Sequence, residues 1–424
     1  MKIAFVVTFF DFRNDVRRVI EYISMEHQVV VLGQADQAAI IKTHLPDGVE
    51  FRVIDEKKKT VWNTFWEWCF LLFKKIPKSK NNFFLMQLFL AANASSAKGR
   101  EKATAILKWV RRLPKIIPYD TYLNYLIISR KTRIEDIDKF FFFTSIADDY
   151  LLARLLRDRV EVSIYVYSWD HPCKHPRFTK RGRYFCWSEA IKGDLTELQR
   201  IDPSRIAVTG SSQFGYIYEY LQRKHTLTPS YDFEYIYFGC AVGITELARE
   251  EVAIITLVHD VLVQLGSPMK LVVRPYPVML DWSVYDRLRV LPNVVMDDSF
   301  RTGDLSVSNQ AILEKFEKIH FAKAFFHLGT TMGLEACFTD TPSFILDFGY
   351  TATGDLSIYN FIHQYQNDKY LMQADNSNHI KSKTALVTVL TTLESGKFLS
   401  GNRAASDSFQ PLVSFEEFAK AILR

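Results

Sequence analysis

Short apolar runs recur along the chain, and almost every one is stopped by a polar cluster and followed by a stretch with helical periodicity. KIAFVV at 2–7 and KFFFFT at 139–144 have this form, as do runs at 27–32, 162–167, 183–187, 205–208, 235–238, 270–273, 294–296 and 343–346, with a weaker one at 49–54. Between them, residues 15–25, 147–157, 190–199, 245–265 and 312–320 space their apolar residues for one helix face. Apolar strands too short to alternate, each feeding a helix, predict parallel sheets buried on both faces and joined by right-handed crossovers. The chain therefore reads as α/β. Its 424 residues exceed what one core organises, which predicts two domains, or three, and the pattern divides into α/β domains at 1–215 and 233–412. Residues 216–232, with His225, Pro229 and Ser230, read as a linker, and 413–424 as an amphipathic helix able to dock on the first domain.

In open parallel sheets ligands bind beyond the carboxyl ends of the strands. The clusters that stop the strands are thus the candidate site. In the first domain the loop 9–14 follows the first strand, with Asp11 as a candidate base and Arg13 as an anion contact; a solvated loop charge is the alternative for each. SWDHP (168–172), WSE (187–189) and TGSSQF (209–214) end three later strands. Asp170 and His171 stand out there, because strand–helix repetition alone does not call for Trp, Asp and His side by side. Asp148 and Asp149 fall within or beside a helix and read as solvated. No G-x-G-x-x-G follows the first strand, which counts against a dinucleotide cofactor.

In the second domain a small-residue turn from Gly239 to Gly243 follows a strand. Arg274 stands between a strand and Pro275, where a rigid guanidinium suits a phosphate or carboxylate. The most telling stretch is AKAFFHLGTTMGLEACFTDTPSFILDFG, 322–349, which reads strand, turn, helix, strand. His327, Gly329, Thr330 and Thr331 make a polar turn, and Met332, Leu334, Glu335 and Ala336 open the helix. Backbone N–H groups and hydroxyls at such a helix start suit a diphosphate. Glu335 is then placed to reach a ribose. An ordinary capped βαβ helix has the same local pattern.

Residues 57–135 break the repetition. Between Lys57 and Arg133 there are 17 Lys and Arg against 3 Asp and Glu, a net +14, which leaves 36 against 45 in the rest of the chain. Trp62, Phe65, Trp66, Trp68, Phe70, Leu71, Leu72 and Phe73 lie between Lys57-Lys58-Lys59 and Lys74-Lys75. Aromatic and basic residues interleaved on helices suit an anionic membrane surface. A helical subdomain with an aromatic core is the alternative. Single-stranded nucleic acid uses the same residue types but is not the expected partner. Five cysteines without a C-x-x-C pair argue against a disulfide framework and a structural zinc, and for a reducing compartment. The first apolar run is too short for a signal peptide and no run is long enough to span a bilayer. The expected location is the cytoplasm, peripheral at the inner face of the membrane.

RPYP (274–277) followed by HLGTTMGLEACFTDTPSFIL (327–346) resembles the donor half of GT-B glycosyltransferases, most closely those of bacterial surface-polysaccharide biosynthesis, the lipopolysaccharide and capsule type. SWDHP together with FCWSEAIKGDLTELQRIDPSRIAVTGSSQF resembles the first domain of the same proteins. The resemblance covers 140–350 well and leaves out the insertion. It implies a GT-B architecture of two Rossmann-like domains, to which the helical basic and aromatic insertion in the first is an addition. It implies that Glu335 binds the donor ribose and that His327, Gly329, Thr330, Thr331 and Met332 bracket the nucleotide diphosphate. Arg274 would add positive charge to those phosphates, and the Gly239 to Gly243 turn would approach them. The acceptor would enter past Asp11 and Asp170. Tyr276 replaces the family's usual His, and His171 its usual Asn. Such enzymes generally need no bound metal, because a helix dipole and basic side chains stabilise the leaving diphosphate; neither metal nor resident cofactor is expected.

The activity so implied moves a sugar from a nucleotide-activated donor to a hydroxyl of a surface glycan or lipid-linked acceptor. Asp170 or Asp11 is the candidate base if the reaction inverts. A CDP-polyol phosphotransferase of teichoic-acid type and a non-catalytic glycan- or membrane-binding scaffold are the alternatives. A nucleotide-sugar 2-epimerase is disfavoured, since nothing in that chemistry calls for the insertion.

Overall fold

The computed structural model describes residues 1–8, 12–76, 97–110, 112–143, 148–174, 177–277, 281–298, 307–352, 357–363, 378–396 and 406–424. The chain divides into two compact units. One comprises Met1–Asn82, Ala105–Tyr218 and Phe409–Arg424; the other comprises Phe83–Thr104 and Glu219–Ser408.

The first unit is built on a seven-stranded sheet, ordered β3-β2-β1-β4-β5-β6-β7. Its strands are β1 (Lys2–Val6), β2 (Gln28–Gly33), β3 (Glu50–Val53), β4 (Lys139–Phe142), β5 (Val162–Tyr165), β6 (Arg183–Cys186) and β7 (Ile206–Val208). Every pairing is parallel. Ala4 at the centre lies opposite Val30 on one side and Phe140 on the other. Ile3, Ala4, Phe5 and Val6 are all buried, which is why this run carries no polar alternation. The second unit has six parallel strands, β8 (Tyr235–Gly239), β9 (Lys270–Arg274), β10 (Val294–Met296), β11 (Ala324–His327), β12 (Ser343–Leu346) and β13 (His379–Ile380). Their order is β10-β9-β8-β11-β12-β13. Both units are Rossmann-like, as the apolar runs predict. Strand order reverses direction between β1 and β4 in one unit and between β8 and β11 in the other. Such switch points are where open α/β sheets hold ligands.

Two segments depart from the reading of the sequence. The stretch taken as a linker begins as a helix, Gly215–Arg223, because Tyr216, Ile217 and Tyr220 recur at helical spacing and are all buried. Asp148 and Asp149 are not solvated. Asp148 caps the helix Asp149–Arg157 by accepting from the Leu151 N–H at 2.8 Å, and burial pushes its carboxyl pKa up. Asp149 accepts the hydroxyls of Tyr119 at 2.7 Å and Tyr122 at 3.2 Å.

The C-terminal helix Phe415–Leu423 opens with a capping box between Ser414 and Glu417. It packs on the helix Asn14–Ser24. Phe418 meets Tyr165 and Phe143, with ring centroids 5.0 and 6.3 Å away, and Lys139 Nζ donates to the Leu423 carbonyl at 2.8 Å.

The insertion leaves the sheet through a closed neck. Asp55–Lys57 and Ile128–Thr132 are tied together: the Ser129 N–H donates to the Glu56 carbonyl at 2.9 Å, the Asp55 N–H to Thr132 Oγ1 at 2.8 Å, and Lys57 bridges Ile128. Glu56 closes it. Its carboxylate accepts from the Arg130 N–H at 2.9 Å, the Thr132 N–H at 3.1 Å and Arg154 Nη1 at 2.5 Å. The Arg154 and Glu56 side chains are 4% and 0% exposed. Removing Glu56 leaves two buried backbone N–H groups without their acceptor and takes the buried counterion from Arg154, which keeps Glu135 at 2.6 Å and the Thr132 carbonyl at 2.8 Å. Glu56→Ala is therefore expected to cost about 3–5 kcal/mol, and Glu56→Gln less. Chemical denaturation of the two variants against wild type measures both.

Candidate functional site

The switch point of the second unit is flanked by the two turns that follow β8 and β11. The β11 turn is held from inside by His327, the last residue of that strand. Its Nδ1 accepts from the Gly329 N–H at 3.0 Å and the Thr330 N–H at 3.3 Å. His327 is buried, and burial, with His379 nearby, pushes its pKa down to about 3. The ring is therefore neutral, with its proton on Nε2, the nitrogen that lies against Gly333. Gly329 sits at φ 97°, a conformation that favours glycine. The helix Thr331–Phe338 then starts with Thr330 as N-cap, its Oγ1 accepting from the Met332 N–H at 3.4 Å. Of the residues the sequence assigns to the diphosphate, Thr330, Thr331 and Met332 are partly exposed at the helix start. His327 and Gly329 lie buried behind them and shape the turn.

Glu335 is one helical turn further on, with only 7% of its surface exposed. Lys315, from the helix Asn309–His320, reaches its Oε2 at 2.6 Å. Burial lowers the Lys315 pKa, Glu335 opposes that, and Arg274 adds to it. Arg274 is buried and committed to another acid: its Nη1 lies 3.0 Å from Asp297 Oδ2. Asp297 also accepts from Lys318 Nζ at 2.7 Å and Tyr237 OH at 2.5 Å. Burial opposes ionisation of Asp297, but Arg274, Lys318 and Tyr237 outweigh it and hold its pKa at about 2. The structure thus places Arg274 in a charge network between β8, β9 and β10.

The β8 turn has its own buried support. Gly239 has no room for a side chain, since a Cβ would stand 2.5 Å from the Phe325 ring on β11; the neighbouring strand, at this position, demands the glycine. Gly243 is partly exposed at the far end of the turn. Between them the Ala241 N–H donates to Glu251 Oε1 at 2.7 Å. Glu251 is completely buried in the helix Thr245–Gln264. Burial pushes its pKa up to about 8, against the Ala241 N–H, Cys240 and Tyr285. Beyond β12, Asp347 accepts from Tyr350 OH and stands 2.7 Å from His363 Nε2 and 3.6 Å from His379 Nδ1.

At the carboxyl edge of the first sheet, Asp170 and His171 are both buried. Asp170 accepts the Ser168 hydroxyl at 2.6 Å, and His171 Nδ1 accepts from the Ser168 N–H at 3.3 Å. Asp11 lies outside the described residues. Trp169 belongs to an aromatic cluster with Trp187, Phe214 and Phe409, so the Trp of SWDHP has a packing reason. The acid that ties this edge together is Asp15. It accepts Tyr167 OH at 2.9 Å and Ser212 Oγ at 2.6 Å, joining the start of the first helix to the exits of β5 and β7. Burial pushes its pKa up, opposed by Ser212, Tyr167 and Arg13. Trp187 Nε1 and Ser188 Oγ are buried at the same edge without a hydrogen-bond partner among the described residues.

Asp15, Glu251, Lys315 and Asp297 are the residues sequence reasoning missed. Asp15 carries the one signal that was available, a lone acid in the first turn of a helix at a strand's carboxyl end. Among the described residues no group of three or more His, Cys, Asp or Glu side chains is arranged to hold a metal ion, and no helix is long and apolar enough to cross a membrane.

The fold is similar to that of the UDP-GlcNAc 2-epimerase from Methanocaldococcus jannaschii, with a TM-score of 0.50 and 11% identity over 99% of each chain. The complex of Methanocaldococcus jannaschii UDP-GlcNAc 2-epimerase with UDP-GlcNAc and UDP gives a TM-score of 0.50 and 11% identity, over 99% of this chain and 98% of that one. A glycosyltransferase from Rickettsia africae aligns at a TM-score of 0.46 and 11% identity, over 100% of this chain and 96% of that one. At such identity the likeness is one of fold. No family model and no curated protein sequence matches the chain.

Glu251 makes a pH dependence that can be measured. Its pKa is about 8 in the folded chain against an ordinary 4.5. The folded state therefore holds a proton that the unfolded state has lost, and stability falls as pH rises between those values. The slope from this one group is about 1.4 kcal/mol per pH unit inside the window. Urea denaturation from pH 5 to 8.5 is expected to show this loss in wild type and a flatter profile in Glu251→Gln.

Proposed function

We propose that this chain is a nucleotide-sugar-dependent glycosyltransferase of the GT-B type. The observation that carries the reading is the β11 turn at the switch point of the second sheet. There Thr330, Thr331 and Met332 open a helix, and Glu335 follows one turn later. In this reading the helix N-terminus and the two threonine hydroxyls receive the diphosphate and stabilise the charge it gains on leaving. Glu335 accepts the ribose hydroxyls, and Lys315, at 2.6 Å, orients that carboxylate. The acceptor hydroxyl belongs to a glycan or lipid-linked glycan and binds at the carboxyl edge of the first sheet. Asp170, accepting from Ser168, is the base proposed to take its proton. The mechanism asks for no metal.

A 2-epimerase is the second reading, supported by the likeness to the M. jannaschii enzyme over the length of both chains. UDP is the nucleotide to test first, because the M. jannaschii complex contains UDP-GlcNAc and UDP. Proton NMR of UDP-GlcNAc with the protein and no acceptor separates the readings: formation of the 2-epimer supports the epimerase and removes the transferase.

Calorimetry with UDP, GDP, ADP, CDP and CMP, with and without magnesium, tests the donor half. One metal-independent binder is expected, and Glu335→Ala is expected to weaken it by about 1.5–3 kcal/mol. Unchanged affinity in that variant would remove the ribose assignment. CDP or CMP as the binder would favour the polyol-phosphate transferase. No binder among the five would favour a non-catalytic scaffold.

Asp170→Asn is expected to abolish transfer while the nucleotide still binds with wild-type affinity. Near-normal turnover in the variant takes Asp170 out of the mechanism.

A further inference from the structure

The helix Val61–Phe73 is apolar on two opposite faces. One face is used by the fold. Asn63 is buried and clamps the helix, donating to the carbonyls of Lys58 and Ile127 at 2.7 and 2.8 Å and accepting from the Ile127 N–H at 2.8 Å. Trp66 stacks on Tyr125 at 4.6 Å, and Phe70 on Tyr122 at 4.3 Å. These three residues, 63, 66 and 70, lie on one side of a helix with about 3.6 residues per turn. The other side carries Val61, Phe65 and Trp68, which are 88%, 54% and 58% exposed. An exposed row of large apolar side chains on a helix anchored by its opposite face marks a contact surface.

The chemistry around that row indicates the partner. Lys57, Lys58 and Lys59 immediately precede the helix and, with Thr60, Val61, Asn63, Thr64, Phe65 and Trp68, line an open groove of about 680 Å³. Lys57 is held by Glu67 at 2.6 Å and also lies over the Tyr150 ring. Lys58 and Lys59 are exposed. The groove thus combines ammonium groups, the positive end of a helix dipole, and aromatic rings. Anionic headgroups and the acyl boundary just beneath them ask for that combination. The insertion that carries it holds a net +14 in a chain whose remainder is negative. A second copy of the same lysine-rich face would repel it, and a protein partner would have to match the lysines with acids and the exposed rings with an apolar cleft, two demands that an anionic bilayer meets together.

We infer that the groove and the Val61, Phe65, Trp68 face form a docking surface for a bilayer containing anionic phospholipid. The helix lies in the interface plane, with its rings at the level of the headgroups and Lys58 and Lys59 on lipid phosphates. This inference concerns a surface remote in sequence from the donor turn and does not depend on the activity proposed above.

Flotation of the full chain with vesicles tests it, using phosphatidylcholine alone and phosphatidylcholine with about one third phosphatidylglycerol. Binding is expected only to the anionic vesicles, and it is expected to weaken as salt rises from 50 to 500 mM, about the range over which screening closes to within a few ångströms. Lys58→Glu/Lys59→Glu is expected to weaken it about tenfold or more, since each lysine near such a surface is worth roughly a fivefold factor. Phe65→Ser/Trp68→Ser, both on the solvent side, is expected to keep the wild-type melting temperature and to lose binding. It is also expected to lose most of the quenching of tryptophan fluorescence by brominated acyl chains. Equal binding to both vesicle types, or binding unaffected by both variants, overturns the inference. A concentration-dependent dimer by light scattering that Phe65→Ser/Trp68→Ser abolishes, with no vesicle binding by wild type, overturns it in favour of a second copy.

Discussion

A charge or polar group at the end of a buried parallel strand has to find its partners inside the protein, and much of this structure is arranged by that demand. Taking an ion out of water is tolerated only when opposite charges and hydrogen-bond donors converge on it. Asp297 gathers Arg274, Lys318 and Tyr237. Glu56 gathers Arg154 and two backbone N–H groups. Glu250 takes three backbone N–H groups from the chain after β12. Where no cation is at hand the group is neutral instead: Glu251 has its pKa pushed up to about 8, and His327 has its pushed down to about 3. The result is that the strand ends are rigid. In the proposed reading the turns they support are preorganised for a ligand.

The same demand explains what was legible in the sequence and what was not. The two sheets were legible because parallel strands buried on both faces need unbroken apolar runs, and KIAFVV, KFFFFT and YIYF are such runs. β13 was missed because it contributes only His379 and Ile380. The β11 turn was legible because strand, Gly-Thr-Thr and helix follow one another directly. Its partners were not. Lys315 meets Glu335 from twenty residues away, and Ser212 reaches Asp15 across 197. In the sequence Arg274 reads as a guanidinium suited to a phosphate or carboxylate, but nothing there shows that its carboxylate is Asp297, which is remote in sequence and reaches it through the pairing of β9 with β10. A sequence shows where a polar residue interrupts an apolar run, but not which distant group will satisfy it.

The insertion is the opposite case. Its aromatics read as a contact surface with a core as the alternative, and the structure divides them into a packed face and an exposed face. Asn63 decides the division. A buried amide bonded to three backbone groups fixes the rotation of the helix, and every other side chain on it is then assigned to one face. Tyr122 and Tyr125 complete the inward face, and a single polar residue thereby specifies which apolar residues stay in water. Nothing in the run VWNTFWEWCF marks Asn63 as that residue, because its partners at Ile127 are 64 positions away.

The two carboxyl edges differ in a way that bears on chemistry. The edge of the second sheet presents threonine hydroxyls at a helix start, and the carboxylate nearest to that start, Glu335, is neutralised by Lys315. In the proposed reading such an edge receives the diphosphate. The edge of the first sheet presents Asp15 and Asp170 bonded to hydroxyl groups, with Arg13 standing over the Tyr167 ring. That edge offers carboxyl groups already bonded to hydroxyls, with the Arg13 cation near Asp15, and in the proposed reading it receives the acceptor hydroxyl. A transferase needs one environment that stabilises a leaving anion and another that activates an alcohol, and their requirements conflict within a single cluster of side chains. In the proposed function the first requirement falls to the edge of the second sheet and the second to the edge of the first.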